Sequence, residues 1–85
     1  MTFDGALITE QGIKFAIAIV KPSVLDSPNR ESTRNSFKPI FGNVPIILMA
    51  QNSGGIPTYH GRTDIVKFLA NIDFRRIPFK RYTIS

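Results

Sequence analysis

The chain has 85 residues and no cysteine, which suits one domain over 1–85 and excludes disulfides and thiolate metal sites. Its formal charge is +5, and the excess lies late: residues 1–61 hold five Lys/Arg against four Asp/Glu, whereas residues 62–85 hold six against two. No apolar run approaches the ~20 residues a membrane-spanning helix needs, and no basic-then-apolar leader opens the chain. The expectation is a small, soluble, cytoplasmic protein without membrane association.

Residues Met1–Thr9 read as a first strand, although Leu7 and Ile8 are adjacent apolar residues and break the alternation. Thr9-Glu10-Gln11-Gly12 is a tight turn, with Gly12 suited to a left-handed backbone. In Ile13–Val20 the large residues Phe15, Ile17 and Ile19 alternate with Ala16, Ala18 and Val20. Both faces are apolar, so this strand is expected at the centre of a sheet, its small face open to close approach by a helix. Residues 22–43 are polar across Asp26–Ser36 and read as a partly mobile connection. Either a loop with an anchored end or a short helix after Ser27-Pro28 fits them.

Val44–Ala50 is apolar without alternation, as a strand buried on both faces would be. Asn52-Ser53-Gly54-Gly55 reverses the chain, and Ile56–Arg62 returns as a strand that Pro57 assigns to a sheet edge. Thr63 is a good N-cap, with Asp64 beside the positive end of the helix dipole. Ile65, Val66, Phe68, Leu69 and Ile72 then form an apolar stripe at helical spacing. In residues 73–85 Pro78 forbids a continuous helix, and Lys80–Ile84 reads as a last strand. The expected fold is α+β: a small antiparallel sheet of four to five strands, or a partly open barrel, packed on one main helix at about 64–72.

The chemistry is sparse. The single histidine, His60, pairs with no recognisable nucleophile. An enzyme would have to be built on His60 and Asp64, and the expectation is a protein without catalytic residues, metal or cofactor. The interleaving of Phe74, Phe79 and Tyr82 with Arg75, Arg76, Lys80 and Arg81 is the main binding signal, because single-stranded nucleic acid is held by stacking aromatics and cations. The same pattern arises when the aromatics serve the core and the cations face water. The leading expectation is a non-catalytic binding or accessory module. It would bind nucleic acid or another polyanion through Arg62, Arg75, Arg76, Lys80 and Arg81, with Tyr59, His60 and Tyr82 available for contact. An acidic protein is the other partner the basic segment could attract. The alternative is a protein–protein or self-associating domain, pairing through an exposed strand edge or apolar tail.

The order of Val44–Ala50, glycine turn, Ile56–Arg62 strand and helix is loosely similar to the C-terminal half of thioredoxin-like domains, over about a third of the chain. The redox cysteine pair of those domains is missing here. The resemblance therefore implies a redox-dead, partner-binding version.

Overall fold

The structure is a computed structural model and describes residues 2–84; Met1 and Ser85, assigned from sequence to the first strand and the closing segment, lie outside the described residues. Five strands form one sheet in the order β4-β3-β2-β1-β5: β1 Thr2–Glu10, β2 Ile13–Ile19, β3 Ile46–Gln51, β4 Pro57–His60 and β5 Lys80–Thr83. Four helices accompany it: α1 Pro22–Leu25, α2 Arg30–Ser36, α3 Lys38–Phe41 and α4 Thr63–Ala70. A 3-10 turn at Phe74–Arg76 leads into β5. The α+β class and the five strands agree with the sequence.

The local reasons are visible in the chain. Gln11 and Gly12 both take positive φ, 51° and 78°, which is the backbone of a tight two-residue hairpin turn. Asn52 closes the β3–β4 turn, its Oδ1 accepting from the amides of Gly54 (2.9 Å) and Ile56 (3.0 Å). Helix α4 begins at Thr63, with Arg62 rather than Thr63 in the N-cap position. The helix ends at Ala70, so Ile72 falls outside it.

Two features differ from the expectation. The sheet is mixed: β2 and β3 run parallel, in the register Ala16↔Ile46 to Ile19↔Met49. It is also open, so it makes no barrel. The parallel pair follows from the long connection between β2 and β3. That connection carries the chain back to the end of the sheet from which β2 started, as a parallel pair requires. Within it Pro22 starts α1, and Pro39 lies in the first turn of α3, where a missing N–H costs nothing.

The sheet buries both faces. On one, Ala16, Ala18, Ile46, Leu48 and Ala50 lie beneath Leu25 and Phe37 of the crossover segment. On the other, Phe15, Ile17, Ile47 and Met49 lie beneath Ile65 and Leu69 of α4, with Ile77 beside them. The alternation of alanine and large residues along β2 thus decides which layer comes close: the small face takes the crossover helices. Each large side chain so buried contributes roughly 1.5–3 kcal/mol before entropy is subtracted.

Candidate interaction site

His60 stands on the crossover-helix side of β4, opposite Leu48 in register. Its acidic partner is Glu31 of α2, not Asp64: His60 Nε2 lies 2.5 Å from Glu31 Oε1. Arg34 donates to the other oxygen of Glu31 at 2.7 Å, and its second nitrogen donates to the Ile46 carbonyl at 3.2 Å. The hydrogen bond from Arg34, followed by that with His60, lowers the Glu31 pKa from 4.5 to about 2. This chain of contacts ties α2 to β3 and β4. The sequence offers one sign of it, the i,i+3 spacing of Glu31 and Arg34. Asp64 is taken by Arg62, at 2.8 Å.

Tyr59 points to the opposite face from His60, into the α4-side core, where its buried hydroxyl has no hydrogen-bond partner among the described residues. Burial raises its pKa.

The basic residues of the C-terminal third are not gathered on one face. Arg62 follows β4, while Lys80, Arg81 and Tyr82 lie on β5. Those strands are opposite edges of the sheet, four strand spacings or about 19 Å apart. Three of the guanidinium groups are already engaged. Arg62 meets Asp64, Arg75 binds Asp73 through Nε (3.0 Å) and Nη2 (2.9 Å), and Arg81 meets Asp4 at 2.7 Å. The Arg75 side chain holds the Asp73 carboxyl below its ordinary pKa, and Asp73 raises that of Arg75 in turn. Among the described residues no carboxylate pairs with Arg76 or Lys80; Lys80 Nζ sits 5.2 Å above the Tyr82 ring. Tyr82 itself stacks on Phe3 at 5.3 Å and meets Phe41 edge-on at 5.0 Å. Phe74 and Phe79 pack against the α4-side core. The aromatics of the interleaved segment are thus largely spent on packing.

The structure brings together a different group of residues. Strand β1 pairs with β2 over Gly5–Glu10, but with β5 only over Thr2–Gly5. Its outer edge from Ala6 to Glu10 therefore has no strand partner among the described residues. Leu7, Thr9 and Glu10 are exposed there and Ile8 is half-buried. Against this edge, on the α4 side, lies a cleft of about 430 Å³. Its apolar walls are Ile8, Phe68, Ile72, Ile77 and Pro78, and Arg76 stands at its rim. Large apolar residues exposed among the described residues are Leu7, Ile56 and Ile72, so two of the three flank this edge. The sequence carried one sign of it. The doublet Leu7-Ile8 places apolar side chains on both faces of the strand, where a half-solvated edge would alternate.

Comparison with protein-family profiles, curated proteins and solved structures yields no match. The likeness of residues 44–72 to thioredoxin-like domains accordingly stays a resemblance of sequence pattern. No helix among the described residues is long and apolar enough to cross a membrane.

Proposed function

We propose that this protein is a non-catalytic interaction module that takes an extended protein segment onto the outer edge of β1. The observation that carries this reading is the coincidence of five strand residues, Ala6–Glu10, whose outer edge has no strand partner among the described residues, with the cleft beside Ile8. In strand addition the backbone supplies the hydrogen bonds and a neighbouring pocket selects alternate side chains. Here the pocket lies on the face of Ile8 and favours an aliphatic residue; Glu10, Asp73 and Arg76 also line it, so its polar part carries both signs of charge.

The other sheet edges support the choice. Edge strands that must not pair are protected by proline, charge or shortness. Strand β4 has four residues and begins at Pro57; β5 has four and carries Lys80 and Arg81. Ala6–Glu10 has no proline, and its one charge, Glu10, stands at the end of the strand. The polyanion reading keeps a narrower basis, in Lys80 and in Arg76, which form no ion pair among the described residues, although Arg76 helps to lower the pKa of the nearby Asp73. It predicts binding that weakens steeply with salt.

The test is selection of peptides from a displayed random library, repeated with Ile8→Lys, whose folding is checked by its amide spectrum. Aliphatic, strand-forming peptides that bind the wild type and lose at least tenfold in affinity for the variant are expected. Peptides that bind both equally, or no peptide at all, would refute the reading.

A further inference from the structure

We infer that the segment received by the edge of β1 is the same edge of a second copy, joined about a two-fold axis at Ile8. This rests on the strand-addition reading above and names its partner. β5 occupies the places opposite Thr2–Gly5, with Lys80 opposite Gly5. Five places opposite Ala6–Glu10 remain. An antiparallel pairing of two such edges centred on Ile8 sets Ala6 against Glu10 of the other copy, and Leu7 against Thr9. It fills both slots at once. The strand coming in ends at Glu10, and its next residues, Gln11 and Gly12, turn back toward their own β2. The added strand and β5 therefore lie end to end without competing for the same place.

The side chains suit this register. On the α4 side Ile8 meets its own copy, beside the two clefts walled by Ile77 and Ile72. On the other side Leu7, exposed in the single chain, is covered by Thr9 of the second copy. Glu10 forms no ion pair among the described residues; in this register it stands at the end of the edge, opposite the already buried Ala6 and on the α4 side of the sheet. The interface is isologous, so it closes at two copies and does not propagate into a fibre.

A cysteine-free chain allows a direct test. Directly opposed residues of an antiparallel pair have Cα atoms about 4.5–5.5 Å apart, within the range a disulfide spans. Ile8→Cys is expected to form a covalent dimer under mild oxidation at least tenfold faster than Thr58→Cys, on the far edge of the sheet. Sedimentation of the unmodified protein should give twice the chain mass of 9.5 kDa. A chain that stays monomeric at millimolar concentration, with the two variants oxidising at equal rates, overturns the inference, as does a dimer that Thr58→Cys captures instead. If the chain is monomeric while library peptides still bind in an Ile8-dependent way, the second-copy inference falls and the strand-addition reading stands. If neither self-pairing nor peptide binding involves Ile8, both fall.

Discussion

Gly5→Ala sets two effects of opposite sign against each other. Glycine within a strand costs about 0.5–1 kcal/mol relative to alanine, because the unfolded chain has more freedom to lose. On that ground alone the substitution should stabilise β1. A Cβ at position 5, however, would stand 2.8 Å from the Ile17 carbonyl oxygen, 3.0 Å from Phe3 Cε2 and 3.2 Å from Phe41 Cζ. The first of these is backbone in the central strand and cannot swing aside. The other two belong to the aromatic group in which Phe3 touches Phe37, Phe41 and Tyr82. Overpacking of this kind costs about 1–3 kcal/mol, so the net expectation is a loss of about 0.5–2 kcal/mol. For a domain of this size that is a fall in Tm of roughly 2–16 °C. Equilibrium urea unfolding followed by far-UV circular dichroism measures it, with an unchanged m-value showing that the unfolded state is not the cause. Stability equal to or above that of the wild type would refute the packing assigned to this face.

Three further substitutions probe the rest of the structure. Glu31→Gln should flatten the acid limb of the stability profile. With the Glu31 pKa lowered in the folded state, the stability it contributes is present above the unfolded value of 4.5 and lost as pH falls toward about 2. Thermal melts between pH 6 and 2 check this, and parallel profiles for variant and wild type would contradict it. Leu69→Ala removes a side chain only 1 % exposed between α4 and the sheet, and should cost about 2–5 kcal/mol in urea unfolding. Tyr59→Phe deletes a buried hydroxyl with no partner, so stability should be unchanged or rise by about 1 kcal/mol; a loss above about 1 kcal/mol would show that the hydroxyl is satisfied in solution.

The strands were legible because their signals are local. Ala16 and Ala18 alternating with Phe15 and Ile17 announce a central strand with one small face, and Gln11-Gly12 announces the hairpin that precedes it. The helix over residues 63–70 follows from the spacing of Ile65, Val66, Phe68 and Leu69. The crossover was hidden because its anchors, Leu25 and Phe37, stand at the two ends of a polar stretch whose middle helix buries nothing. Pro39 in isolation reads as a helix breaker, and only the start of α3 at Lys38 makes it harmless. Without the crossover the parallel pairing of β2 with β3 could not be read, and so neither could the strand order. That order separates Arg62 from Lys80 and leaves the outer edge of β1 unpaired. Ion pairing was equally invisible. The sequence shows six basic residues after Gly61, but only the folded chain brings Asp4 to Arg81.

The most direct test of the interaction-module reading is a two-dimensional amide NMR titration of the labelled protein. A library-selected peptide and a short oligonucleotide would be compared at low and high salt. The peptide is expected to shift the amides of Ala6–Glu10, together with Ile72 and Ile77 along the cleft, at both salt concentrations. Oligonucleotide-induced shifts confined to residues 62–82 that fade at high salt, with β1 unmoved by peptide, would contradict it.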